Sequence, residues 1–139
     1  MEQVERFNVR DLIQTAVGSF AGALMFSLTQ EVEVVGDSIG WLNVFLILVV
    51  SLVAAFVIAY NLGVRRLKNK KIKLALHFIP VRISVHYLSA LFFSALNLYI
   101  LGINVASTPL VNAVKRIVVL ALPATVFGSA VDLLDSQKE

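Results

Sequence analysis

Charged residues divide this chain into long apolar tracts. The first lies between Asp11 and Glu31 and centres on TAVGSFAGALMFSL. The second, between Asp37 and Arg65, is SIGWLNVFLILVVSLVAAFVIAYNLGV, and the third follows Arg82 as ISVHYLSALFFSALNLYILGINV. A fourth runs from Leu110 to Leu134, interrupted by Lys115 and Arg116. A helix of roughly 20 apolar residues crosses a hydrocarbon core about 30 Å thick, and these tracts supply such lengths. Only 15 uncharged residues, 117–131, separate Arg116 from Asp132, so the fourth helix is expected to carry both cations in its own first turns. The runs are continuous rather than alternating in ten-residue segments, which selects helices over a barrel.

The expectation is therefore an all-α polytopic membrane protein, a single domain over residues 1–139. Its four transmembrane helices are expected at about 12–30, 39–62, 82–103 and 110–134. The short LALHFIP stretch is expected to lie in the interface, broken from the third helix by Pro80. The first tract is read as a span, not a signal peptide, because its flank TQEVEV offers no small-residue cleavage site and its leader MEQVERFNVRD is mixed in charge.

Composition strengthens that picture. Of the 139 residues 58% are hydrophobic and 15% charged, with a mean hydropathy of +0.84. Soluble domains run at about 45–50% and about 25%, and one of this size could not bury so much apolar surface. The absence of cysteine excludes disulfides, thiolate metal sites and a cysteine nucleophile.

The charges are segregated. Arg65, Arg66, Lys68, Lys70, Lys71 and Lys73 crowd the loop RRLKNKKIK, and a four-helix topology puts Arg6, Arg10 and Lys138 on the same side. The opposite side holds an acidic turn with Glu31, Glu33 and Asp37, plus the uncharged GINVASTP; only Lys115 and Arg116 oppose the trend. The bias of Lys and Arg makes the basic side, with both termini, cytoplasmic at the cell membrane. The loop is first a topogenic signal, and its six cations also suit anionic headgroups at about 1 kcal/mol each. No aromatic platform or recognition fold accompanies the pI of about 9.5, so membrane lipid, not nucleic acid, is the expected partner.

Polar patterns inside the spans mark candidate sites. Gly18 and Gly22 form a GxxxG pair, and Ala124 and Gly128 a second small-xxx-small pair; both are read first as packing faces within the bundle. At about 100° per residue, Arg82, His86, Ser89 and Asn97 form a polar ladder along the third helix. The plain reading is a snorkelling Arg82 and interhelical hydrogen bonds; the functional one is a wet path with His86 as its pH-sensitive group. In the fourth helix Asn112 and Arg116 share a face with Pro123, where a kink is expected. A carboxylate from Glu31 or Glu33 is available to Lys115 and Arg116, and a Glu31–Arg116 pair would neutralise both charges before burial.

There is no GxGxxG, P-loop, HExxH or GxSxG motif, and neither His77 nor His86 has a partner at metal-ligand spacing. No metal, no cofactor and no enzymatic activity are expected; a lipid-acting enzyme built on Glu31 or Glu33 with Lys115 and Arg116 is the weaker alternative.

The segment FNVRDLIQTAVGSFAGALMFSLTQEVEVVG resembles a prokaryotic family of integral membrane proteins known only as a domain of unknown function. The shared features are the Arg10–Asp11 pair before the first helix, its glycine- and alanine-rich middle, and the ending Thr29, Gln30, Glu31, Val32. The resemblance implies an all-helical membrane protein and transfers no activity. The leading functional expectation is a homo-oligomeric channel or transporter for an ion or small solute, with Glu31, Arg82, His86, Ser89, Asn97, Asn112, Lys115 and Arg116 as path candidates. The alternative is a non-transporting accessory, scaffold or anionic-lipid-binding protein.

Overall fold

In the computed structural model the described residues are 9–64, 72–104 and 106–136, and they form five helices. These are α1 (Val9–Ser27), α2 (Glu31–Ser38), α3 (Trp41–Val64), α4 (Ile72–Ile100) and α5 (Leu110–Ser136). Arg65, Arg66, Lys68, Lys70 and Lys71 lie outside the described residues, and Lys73 falls in the first turn of α4.

Among the described residues three helices are long and apolar enough to cross a membrane, over Trp41–Tyr60, Ile79–Ile100 and Leu110–Val131. A fourth span results if α1 and α2, bent by 85° across a short break, count as one. Only 22% of the Trp41–Tyr60 window is buried inside the bundle, although its mean hydropathy is 2.9. So much apolar surface without a protein neighbour belongs in lipid.

Two expectations are corrected. Pro80 does not end a separate interfacial segment: α4 runs unbroken from Ile72 to Ile100 through it. Proline removes one backbone donor, but an apolar helix in lipid has no better option for the rest of its backbone groups. Ser84 Oγ donates to the Pro80 carbonyl at 2.8 Å. α5 likewise continues through Pro123, with Thr125 Oγ1 donating to Ala121 O at 2.7 Å.

The acidic segment is not a turn but the two-turn helix α2. Glu31 and Glu33 sit in its first turn, where the helix dipole favours negative charge. Ser38 Oγ donates to Val34 O at 2.8 Å, and the chain leaves α2 in extended form at Ile39, whose N–H reaches Val35 O at 2.9 Å.

α5 is the central element, packing on α1, α2, α3 and α4, with its most extensive pairing to α1. α1 buries Thr15, Gly18, Ser19, Gly22 and Ala23, a stripe at helical spacing, while Met25 on the other side of Gly22 is exposed. α3 contributes the small stripe Ser51, Ala55 and Ala59 and leaves Phe45, Leu46, Val49, Val53 and Phe56 facing outward. A core cluster of Ala23, Val32, Ala90, Leu98, Leu120 and Ala124 joins α1, α2, α4 and α5, from the end that α2 covers down to the middle of the α4 span at Ala90.

Candidate functional site: a charged clasp above a polar interior

The sharp end of α4 sets up the site. Gly102 at φ 71 reverses the chain, a backbone shape that L side chains resist. Its N–H bonds Tyr99 O at 3.1 Å while the Ile103 N–H bonds Leu98 O at 2.9 Å, the paired bonds of a Schellman stop. Ile103 packs its side chain on the cluster containing Leu98 and turns its carbonyl toward α5.

Arg116 meets that carbonyl. Its Nη1 donates to Ile103 O at 2.7 Å and to Asn104 Oδ1 at 3.4 Å. Its Nε and Nη2 donate to the two oxygens of Asp37 at 2.9 and 2.7 Å, and Nη2 also reaches Glu33 Oε1 at 3.3 Å. All five guanidinium hydrogens thus have an acceptor, which is what a 5% exposed arginine needs. Asn104 is itself steadied by Nδ2 donating to Ala113 O at 3.3 Å.

The arginine's partner therefore differs from the Glu31–Arg116 pair expected from sequence. Glu31 is exposed, and the guanidinium takes Asp37 in bidentate fashion with Glu33 as a second carboxylate. Asp37 and Glu33 stand four residues apart, on one face of α2, whereas Glu31 is rotated away from it. A carboxylate near a helix C-terminus opposes the dipole, and the arginine offsets that cost at Asp37. Gly36 makes the approach possible: a Cβ there would stand 2.5 Å from Arg116 Cγ. Beside the clasp, Lys115 Nζ donates to Ile39 O at 2.8 Å and lies 5.4 Å from the Trp41 ring centroid. Asn112, one turn before Arg116, is half-buried.

Beneath the clasp the interior between α1, α4 and α5 is polar. Asn97 Nδ2 donates to Phe93 O at 2.9 Å and, across helices, to Phe20 O at 3.4 Å. Deeper, the buried His86 Nδ1 and Thr15 Oγ1 are 3.3 Å apart in hydrogen-bond contact. Arg82 and Ser89 are half-buried, so the ladder read along α4 splits: His86 and Asn97 face the interior of their own bundle, and the other two flank it. The hydroxyls of Ser19, Ser94 and Ser129 are buried without a hydrogen-bond partner among the described residues. Nothing in the sequence marks these three, since a serine in an apolar helix ordinarily bonds its own i−4 carbonyl. Ser51 does so, to Ile47 O at 2.8 Å.

The small-residue pairs meet each other. A Cβ on Gly18 would stand 2.7 Å from Phe127 O and 2.8 Å from Gly128 Cα, and one on Gly22 would stand 3.1 Å from Pro123 O. Ala124 is fully buried beside them. Gly18, Gly22, Ala124 and Gly128 thus form one seam between α1 and α5 within the chain. Among the described residues no cluster of potential metal ligands is present.

Comparison with known proteins covers far more than the N-terminal resemblance. Residues 2–134 match the family described as "Putative integral membrane protein (DUF2391)". The chain belongs to this family. The match runs through all five helices, the clasp and the polar interior, so these features sit within the family domain and not in an appended segment. No curated protein and no solved structure matches the chain.

Proposed function

We propose that this protein passes a small polar solute or ion through the interior bounded by α1, α4 and α5. The observation that carries the reading is the three serine hydroxyls, Ser19, Ser94 and Ser129, buried without a partner among the described residues, together with His86 and Asn97 in the same bundle. A buried hydroxyl without a partner costs about 1–3 kcal/mol, and water or a passing solute relieves that cost. Because His86 and Asn97 face inward, the path belongs to the single bundle; a pore between copies lined by these two residues is not supported. Homo-oligomers are compatible with this reading but not needed for it. The test is flux in reconstituted liposomes, comparing the wild type with Ser94→Ala and Asn97→Leu. Flux above protein-free vesicles that falls in both variants supports the path; wild-type leakage equal to that of empty vesicles removes it.

The closed seam at Gly18 and Gly128 favours a second reading, a non-transporting accessory or anionic-lipid-binding module. Neutralising Lys70, Lys71 and Lys73 would then weaken association with anionic vesicles, most at low salt. In both readings the protein is non-enzymatic, spans the cell membrane four times with α1 as the first span, and keeps both termini and the lysine cluster on the cytoplasmic face. Because the chain lacks cysteine, Lys70→Cys gives a clean reporter. Reaction with an impermeant thiol reagent outside intact cells would reverse that orientation.

A further inference from the structure

We infer that α2 is a latch over one end of the polar interior, with Arg116 as its catch. Its role as a gate rests on the transport reading above; the latch itself rests on geometry. Four observations carry it. First, α2 turns 85° from α1 across the short Leu28–Gln30 break, where Thr29 N–H holds Phe26 O at 3.1 Å and the regular helix ladder stops. Second, Val32 is the apolar residue α2 inserts into the core, meeting the cluster of Ala23 on α1, Leu98 in the last turn of α4, and Leu120 on α5. On α4 the buried Ser94 and Asn97 lie between Ala90 and Leu98 of that cluster, so the plug sits at the upper end of the stretch that carries them. Third, α2 packs on the rest of the bundle chiefly through α5, and its polar bonds there converge on Arg116 through Asp37 and Glu33. Fourth, Asp37 and Glu33 keep 39% and 54% of their side-chain surface exposed while Arg116 keeps 6%. Water therefore competes for the carboxylates from outside, and the arginine stays held by Ile103 O and Asn104 when they leave. A short helix held by a clasp whose carboxylates are part-exposed, by the Lys115–Ile39 bond at its end and by one small apolar plug releases more easily than the glycine-packed α1–α5 seam behind it.

Release of the latch should uncover Ala23, which is fully buried in the closed form. The chain has no native cysteine, so a full-length Ala23→Cys protein in lipid nanodiscs, with both faces open to a charged methanethiosulfonate, reads exposure directly. Asp37→Asn in that background should raise the labelling rate about tenfold or more, as expected when a charge-assisted bidentate pair is lost. Glu31→Gln, which changes a carboxylate outside the clasp, should leave it at baseline. Glu33→Gln should give a smaller rise, in keeping with its single longer bond. Equal labelling in the Asp37 and Glu31 variants, whether raised in both or in neither, overturns the latch. So does a rise accompanied by loss of helical circular dichroism, because exposure would then come from unfolding. Flux is read separately: faster labelling with flux at the protein-free level keeps the latch and removes the transport reading.

Discussion

Arg116 of α5 and Asp37 of α2 meet side-on, Nε to Oδ1 at 2.9 Å and Nη2 to Oδ2 at 2.7 Å, across 79 residues of chain. Planar, two-pronged pairing of this kind is specific to arginine, because a lysine ammonium has no matching fork. Arg116→Met strands two carboxylates together and is expected to destabilise the fold by about 3 kcal/mol, the lower end for a broken buried pair because Asp37 is partly solvated. Asp37→Asn should cost about 1–2 kcal/mol, and Glu31→Gln less than about 0.5 kcal/mol. Thermal unfolding of the purified proteins in one detergent ranks the three; a Glu31 variant as damaged as the Asp37 variant would contradict the pairing.

The α1–α5 seam gives a second ranking. At Gly18 a methyl group meets backbone atoms of α5, which cannot rotate aside, so Gly18→Ala must push the helices apart. An overpacking cost of about 2–3 kcal/mol is expected. Gly40 has open space around the same position, and Gly40→Ala should change stability by less than about 0.5 kcal/mol. Comparing midpoints of unfolding for these two alanines checks the seam without altering charge or polarity.

Gly102 presents a different demand, conformational rather than steric. Nothing lies near a Cβ there, yet its φ of 71° suits glycine. Gly102→Ala should cost about 1–2 kcal/mol through backbone strain alone, and Gly102→Asn less, since asparagine tolerates that region better. The same strain would disturb Ile103 O and Asn104, so crosslinking or labelling at α2 should change in the alanine variant and recover in the asparagine one.

Ser94 separates stability from function. Its hydroxyl is buried and unpartnered, so Ser94→Ala removes an unsatisfied group and should leave stability unchanged or raise it by up to about 1 kcal/mol. If the hydroxyl serves a permeating solute, flux falls in the same protein. Lower stability with unchanged flux would mean the serine is an ordinary packing residue.

How far the sequence could be read differs from residue to residue. The apolar tracts mark α3 and the apolar part of α5 closely, because lipid forces a continuous apolar segment to satisfy its own backbone. The same rule carries α4 through Pro80, because in lipid the continuous helix outweighs the helix-breaking tendency that proline has in water. The GxxxG pair and its counterpart at Ala124 and Gly128 were visible as small-residue spacings, but the sequence has no means of saying that they face each other. Arg116 was visible as a cation inside a span that needed a partner. Asp37 was missed as that partner because its segment read as a turn, and only as a helix do Asp37 and Glu33 share a face.

Hydropathy by itself determined that this chain lives in a bilayer as helices, since the energy of placing backbone and side chains in hydrocarbon depends on local composition and length. Which carboxylate Arg116 takes, which serines are left without partners, and how closely α1 and α5 approach were decided only by the tertiary structure. Those outcomes depend on helix rotation and on the 85° turn into α2, and rotation brings together residues that no local stretch of sequence places side by side.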